Sequence, residues 1–272
     1  MSPLSAFCRY AALTRPVGTV TRGTTAPNRL RRIDRWTIAS YDVLLRTSAA
    51  PLVVDLGFGA SPVTTVELAD RLAARRPGIE VLGLEIDGGR VAAARPFARA
   101  GLSFAVGGFE VPAPRAPVLI RALNVLRQYD ESEVAGVWRG LRSRLAPGGV
   151  LIEGTCDELG RLACWVAVSA AAGPETFTAA SRLATLGRPS DLAERLPKCL
   201  IHRNVPGEPV HAFFRELDRA WDAHAGLAVF GARQRWVATV ASVRAAGWPV
   251  LGGVSRWRLG EVTVLWAAVA PA

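Results

Sequence analysis

One segment constrains the fold of this chain most strongly: residues 53–62, VVDLGFGASP. Its apolar start indicates a short buried strand ending at Asp55, and Gly57 and Gly59 indicate a turn that leads into a helix. Glycine adopts positive φ and lets another group approach the backbone closely. Because the free N–H groups of the following helix point towards this turn, the segment predicts a ligand site there.

A second feature is Glu85, which ends the apolar stretch VLGLE. An acid at a strand end, about 20 or more residues after a glycine turn, can accept hydrogen bonds from both ribose hydroxyls of a nucleotide. Dinucleotide binding is the main competitor, but its fingerprint needs a third glycine where this chain has Pro62. Asp55 also suits a positively charged ligand better than a pyrophosphate.

Strand and helix patterns alternate through the first half of the chain. Asp130 and Glu133 have the spacing of a capping box and predict the start of one helix. Alternation of this kind is typical of a parallel sheet covered on both faces. The predicted strands are residues 51–57, 79–87, 102–108, 117–125 and 150–155.

The remaining chain predicts three further regions. Residues 1–33 contain arginine and no acid, so we expect a basic tail that is frayed, or an arm that covers a cofactor or an acidic partner. Residues 34–272 form the main domain, in which residues 156–230 are expected to be a helical insertion or lid. The C-terminal stretches 248–257 and 260–269 predict two strands whose short connection forces antiparallel pairing. The expected fold is therefore α/β and doubly wound, with a mostly parallel seven-stranded sheet, a C-terminal antiparallel strand pair and a helical insertion after strand five.

Composition limits the class of protein. The 272 residues contain no apolar run of about 20 residues and no secretory pattern, so a cytoplasmic protein without a membrane span is expected. Four cysteines (Cys8, Cys156, Cys164 and Cys199) form no C-x-x-C pair, so neither a metal site nor a disulfide framework is predicted. The formal net charge is +10, but Lys198 is the only lysine, and this skew indicates GC-rich coding as much as selection for phosphate contacts. A nucleic-acid partner stays an alternative.

The motifs DLGFGASP and LGLEID resemble motifs I and II of class I S-adenosylmethionine-dependent methyltransferases. The segments NVLRQYDESEV and LRSRLAPGGVLIEG resemble the fourth-strand and fifth-strand regions of the same family. The resemblance covers about residues 50–155, and residues 232–270 more loosely. It departs from the family where the last glycine of the usual turn is replaced by Ala60-Ser61.

The resemblance implies S-adenosylmethionine as the cofactor. It places the methionine end at the first turn, the ribose at Glu85, the adenine after the second and third strands, and the sulfonium or its substrate at the end of the fourth. The implied binding residues are Asp55, Gly57, Gly59, Glu85, Ile86, Gly107, Gly108, Phe109 and Asn124.

The acceptor is less constrained. Methyl transfer requires alignment and sometimes proton removal, for which Glu153, Asp157, His202 and His211 are the candidate general bases. An O or N nucleophile of a small molecule or a protein side chain is favoured. An RNA methyltransferase is the first alternative, although the Pro-Asp-Pro-Trp segment of the tRNA guanine-methylating group is absent. A cofactor-binding scaffold without catalysis is the second. The oligomeric state is left open.

Overall fold

The computed structural model describes residues 15–271, so residues 1–14, with Cys8 and Arg9, and residue 272 lie outside it. Strands within this range form one sheet. The strands are β1 (Leu52–Leu56), β2 (Glu80–Glu85), β3 (Leu102–Val106), β4 (Leu119–Leu123), β5 (Val150–Cys156), β6 (Leu162–Ser169), β7 (Gly173–Ser181), β8 (Val250–Leu251) and β9 (Glu261–Leu265). The first five lie where the alternating pattern predicts them, because each is a short apolar run between turn residues.

Helices cover both faces of this sheet. They are α1 (Arg31–Ser40), α2 (Asp42–Thr47), α3 (Val63–Arg75), α4 (Gly88–Ala94), α5 (Glu131–Arg142), α6 (Lys198–Ile201), α7 (Pro209–Ala223), α8 (Ala232–Ala245) and α9 (Val254–Trp257). The capping box at Asp130 and Glu133 is present at the start of α5, as predicted. No helix in the described range is long and apolar enough to cross a membrane.

The strand order is β3-β2-β1-β4-β5-β6-β7-β9-β8. Strands β1 to β5 are parallel neighbours, whereas each later pair is antiparallel. Consecutive reversals bring β7 and β8 back to the direction of β1, so only β6 and β9 run the other way. The chain moves outward from β1 to β3 and then crosses to β4 on the opposite side of β1. Open α/β sheets bind ligands at such a reversal of strand order, beyond the carboxyl ends of the strands.

Two expectations about the sheet are wrong. It has nine strands in the described range, not seven. The insertion predicted to be helical begins instead with the β6–β7 hairpin, because residues 162–168 form an apolar run that suits a buried strand as well as a buried helix. Helices α6 and α7 follow only after this hairpin. The C-terminal antiparallel pair exists, but Gly252 and Gly253 limit β8 to two residues, and β6 rather than the C-terminal pair lies beside β5.

Two apolar cores lie on opposite faces of the sheet. One packs α5, α7 and α8 against it, and the other packs α1 and α3. Helix α1 begins at Arg31, and its Trp36 ring packs edge-on against Trp165 of β6, with 5.4 Å between the ring centroids. The structure thus fixes the segment that precedes α1 beside the carboxyl ends of the parallel strands.

Candidate functional site

The glycine turn after β1 is a crowded backbone site. Gly57 has φ 74° and Gly59 has φ 83°, so both adopt the left-handed conformation that glycine tolerates. A Cβ atom on Gly57 would lie 2.9 Å from Cγ2 of Val125, and one on Gly59 would lie 2.8 Å from the carbonyl oxygen of Gly23. The turn therefore requires glycine at both positions.

Glu85 holds this turn from the end of β2. Its side chain is 2% exposed, and its Oε2 accepts a hydrogen bond of 2.9 Å from the Gly59 N–H. Its Oε1 accepts from the Ile86 N–H at 2.9 Å, and Nη1 of Arg90 lies 3.7 Å from Oε2. The acid predicted from spacing alone is therefore in contact with the predicted glycine turn.

Asp55 is engaged in a buried ion network that the sequence did not reveal. Its carboxylate accepts from Nε and Nη2 of Arg121 at 2.8 and 2.7 Å and from the Thr65 hydroxyl at 2.6 Å. Arg121 also donates to Asp34 of α1. Burial opposes the charge of Arg121, but Asp34 and Asp55 outweigh burial and raise its pKa above the ordinary arginine value. Burial likewise raises the pKa of Asp34, and Arg121 and Arg71 oppose that shift.

This network changes one part of the sequence argument. The charge of Asp55 was expected to favour a cationic ligand, but the Arg121 guanidinium compensates it. Direct contact of the Asp55 carboxylate with a cofactor stays a prediction. A charged residue in the middle of the apolar strand 117–125 was the available signal, because a buried arginine needs an acidic partner.

A cavity of about 460 Å³ opens over the glycine turn and the end of β4. Asn124 lines it with φ 62°, accepts at Oδ1 from the Cys156 N–H at 2.9 Å and donates from Nδ2 to Sγ of Cys156 at 3.2 Å. Burial raises the pKa of the Cys156 thiol, and Arg29 and Asn124 oppose the shift, so this wall of the cavity is neutral. Arg22, Arg29, Arg127 and Arg195 also line the cavity, with Glu158 as an exposed acid.

A narrow slot adjoins this cavity. It is lined by Glu85, Ile86, Gly107, Gly108 and Phe109, the residues expected around the ribose and adenine, and by Tyr129, whose ring centroid is 5.3 Å from that of Phe109. Its free volume is only about 10 Å³.

Residues 17–24, which we call the arm, run along this edge of the sheet, and Val17–Thr21 fill the slot. Val17 bonds through its carbonyl oxygen to the Phe109 N–H and through its N–H to Glu110 Oε2, both at 2.8 Å. Thr19 donates from its N–H to the Tyr129 hydroxyl at 2.5 Å and accepts from Gln128 Nε2 at 2.9 Å. Gly18 lies against the side chains of Ile86, Phe109 and Tyr129. Residues 17–24 are thus docked against the domain, and a role in covering a cofactor or an acidic partner stays a prediction.

The structure does not bring the predicted general bases to the cavity. Glu153, Asp157, His202 and His211 are all absent from its lining residues. Glu153 is fully buried within β5, where burial raises its pKa to about 8 and the Trp138 indole opposes the shift. His202 follows α6, and His211 lies in the first turn of α7. In the described range, no cluster of histidine, cysteine and acidic residues has the composition of a metal site.

Comparisons with known proteins give similarity only at the level of solved structures. No family model matches the sequence, and no curated protein matches it. The plantazolicin methyltransferase BamL, solved with S-adenosylhomocysteine and a desmethyl plantazolicin analogue, is 16% identical, with 47% of each chain covered and a TM-score of 0.37. CalO1, a methyltransferase of calicheamicin biosynthesis solved with S-adenosylhomocysteine, is 17% identical over 45% of this chain and 36% of its own, with a TM-score of 0.31.

A third similar structure is the cyclopropane synthase MmaA2 of Mycobacterium tuberculosis, which is 19% identical over 43% of this chain and 42% of its own, with a TM-score of 0.31. The chain spans less than half the length of each of these three structures. These TM-scores are all below 0.5, so we derive the function from the geometry of the site.

Proposed function

We propose that this chain binds S-adenosylmethionine beyond the carboxyl ends of β1, β2 and β4 and transfers its methyl group to an O or N nucleophile of a small molecule or a protein side chain. The observation that carries this proposal is the contact between the glycine turn and Glu85 at the point where the strand order reverses. A nucleoside with a short charged tail suits such a junction, because the carboxylate pairs with ribose hydroxyls while the glycines leave the backbone open to the tail.

The residues of the chain have distinct tasks in this proposal. Glu85 exchanges its bond to Gly59 for bonds to the ribose hydroxyls, and Arg90 lies beside the carboxylate, with Nη1 at 3.7 Å from Oε2. Ile86 and Phe109 cover the adenine. Arg29, which already bonds to Asp157 and Cys156 carbonyl oxygens, lies where it can attract the carboxylate of the cofactor's methionine end.

Catalysis in this site relies on alignment. When bound, the cofactor supplies an electrophilic methyl group on a sulfonium. The paired Asn124 and Cys156 side chains form a fixed neutral wall at the ends of β4 and β5, which orients the acceptor and excludes water. The buried Cys156 thiol stays protonated, so it does not compete as the nucleophile.

The fit of the cofactor depends on the arm. The cavity over Gly57 and Asn124 has space for the methionine end, whereas the slot beside Ile86 is filled by Val17–Thr21. Adenosine binding therefore requires these five residues to leave the slot. The filled slot is also the observation that favours the second candidate, a scaffold of methyltransferase type that does not turn over.

Calorimetric titration tests the proposal. We expect micromolar binding of S-adenosylmethionine and S-adenosylhomocysteine and no binding of NAD. Glu85→Gln removes the charge from the ribose contact and should weaken S-adenosylhomocysteine binding by about 10- to 100-fold, since a charge-assisted hydrogen bond contributes about 1.5–3 kcal/mol.

Glu80→Gln is the matched control. Glu80 begins the same strand, pairs with Arg115 at the opposite edge of the sheet and is remote from the turn, so its variant should bind like the wild type. Equal affinities of the two variants would place the ribose elsewhere. Binding of both adenosyl compounds without turnover on hydroxyl- and amine-bearing acceptors would support the scaffold.

A further inference from the structure

A second cavity, of about 790 Å³, lies on the surface between α1, the β6–β7 hairpin and α8. Its lining is dominated by one residue type, and Glu261 is its single acid. The arginines that line it are Arg31, Arg32, Arg35, Arg161, Arg182, Arg233 and Arg258. We call this cavity the arginine groove. It adjoins the cavity over Gly57 but is separate from it, because the backbone of residues 28–30 and 158–160 lies between the two.

The arginines of the groove have no salt-bridge partner within the described part of the chain. Twelve other arginines form salt bridges, whereas none of the seven groove arginines does. The acid of the groove, Glu261, is bonded to Arg256 at 2.6 Å, outside the lining. Other arginines of the described range also lack a salt bridge, but seven of the unpaired ones lie around this one concavity.

The position and the pKa of Arg32 show that the groove arginines act on one another. Its Nη1 donates to the Leu259 carbonyl oxygen at 2.6 Å, which holds the guanidinium at the groove wall. Burial lowers its pKa, Glu261 opposes the shift, and Arg31 and Arg35 lower the pKa further. Like charges held together in this way gain free energy when an anion binds between them.

The non-arginine lining indicates which kind of anion fits. Leu159 and Leu259 line the groove with 57% and 41% of their surface exposed. Among the described residues, the lining contains no aromatic side chain, and single-stranded nucleic acids gain much of their affinity by stacking bases on aromatic side chains. Arginine beside exposed aliphatic surface is instead typical of a protein–protein interface, in which guanidiniums pair with carboxylates around an apolar contact.

Two occupants from the same sequence lack the complementary charge. Residues 1–14 contain one arginine and no acid. A second copy of the chain carries the same net charge of +10. We therefore expect the occupant of the arginine groove to be a different molecule.

We propose that the arginine groove is a docking surface for an acidic protein partner, whose carboxylates pair with the groove arginines and whose aliphatic side chains cover Leu159 and Leu259. The proposal does not depend on methyl transfer, because it rests on the charge and lining of a different cavity. A partner docked there lies beside the cavity over Gly57 and Asn124.

Fluorescence anisotropy with the full chain tests the docking surface. The probe is a labelled peptide in which glutamate pairs alternate with leucine, and the comparison probes replace glutamate by glutamine or the peptide by a short oligouridylate. The acidic peptide should bind saturably and lose affinity as salt rises, and the glutamine peptide should not bind. The triple variant R182Q/R233Q/R258Q should weaken binding of the acidic peptide by about tenfold or more.

The matched control is R95Q/R139Q/R144Q. It removes the same charge from exposed arginines outside the groove that have no described salt bridge, and it should change the affinity less than about twofold. Equal losses in both triple variants would show attraction to net charge alone and overturn the proposal. No saturable binding of the acidic peptide would also overturn it, and tighter, groove-dependent binding of the oligouridylate would assign the surface to nucleic acid instead.

Discussion

The most informative perturbation for the core is Glu153→Gln. Glu153 lies in the middle of β5, opposite Val166 of β6 and fully buried. Neither carboxyl oxygen has a hydrogen-bond partner, and the Trp138 Nε1 that faces the carboxyl also makes no hydrogen bond. Glutamine keeps the shape of the side chain and removes the proton equilibrium, so the difference between the two proteins isolates the carboxyl group.

The magnitude follows from the pKa. Burial raises the pKa of Glu153 from 4.5 to about 8, and the indole of Trp138 opposes the shift. The unfolded chain releases the proton near pH 4.5, while the folded chain keeps it until about pH 8. The stabilisation is therefore fully present below pH 4.5 and is lost as the pH rises towards 8, at about 1.36 kcal/mol per pH unit. Between pH 5 and pH 8.5 the wild type should lose about 4 kcal/mol relative to Glu153→Gln.

Urea unfolding of both proteins, followed by tryptophan fluorescence at several pH values between these limits, measures this difference. Glu194→Gln is the control, because Glu194 is exposed and should leave the pH dependence unchanged. A constant difference between wild type and Glu153→Gln over this range would refute the reasoning. It would mean that Glu153 is ionised in the folded protein and that water or a polar group stabilises it.

Three further predictions concern the site. Arg121→Met should destabilise the fold by about 3–5 kcal/mol in urea unfolding, because it leaves Asp55 as an unpaired buried charge and Asp34 with Arg71 alone, and an unchanged stability would contradict the network. Gly59→Ala should weaken S-adenosylhomocysteine binding measured by calorimetry by about tenfold, since alanine is strained at the φ of 83° that this turn requires, and retained affinity would show that the turn relaxes. Deletion of residues 1–21 should tighten the same binding by about two- to tenfold, whereas weaker binding would make the arm part of the cofactor site.

The parallel half of the fold was predictable from local pattern. Strands β1 to β5 are short apolar runs between turns, and Asp130 with Glu133 specifies the start of α5. The hairpin of β6 and β7 was not predictable in the same way, because residues 162–169 have no alternation that separates a buried strand from a buried helix. The Gly173-Pro174 pair that begins β7 is compatible with a break between helices as well as with the start of a strand.

Within the site, the positions that require a particular backbone conformation could be predicted from the sequence. The hydrogen-bond partners of the side chains could not. Gly57, Gly59 and Glu85 follow from spacing, because a turn and a strand end leave few choices of residue. Arg121, the partner of Asp55, is 66 positions away in the sequence. The two residues meet because β1 and β4 are adjacent in the sheet, and no local sequence pattern encodes that adjacency. The arm has neither helical nor strand periodicity, so its place in the slot follows only from backbone hydrogen bonds to residues that are distant in sequence.

The arm can leave its slot without disturbing the sheet. Five hydrogen bonds hold residues 17–21, and at about 0.5–1.5 kcal/mol each they contribute about 2.5–7.5 kcal/mol. Ordering the backbone of five residues costs about 5–10 kcal/mol, and no side chain in residues 15–24 is buried to offset it. The two sums overlap, so the arm is held with a net free energy close to zero. Movement of the arm need not extend beyond Asn28, because the Asn28 N–H donates a hydrogen bond to the Glu67 carboxylate of α3. An arm held this weakly adds little to the free-energy cost of cofactor binding.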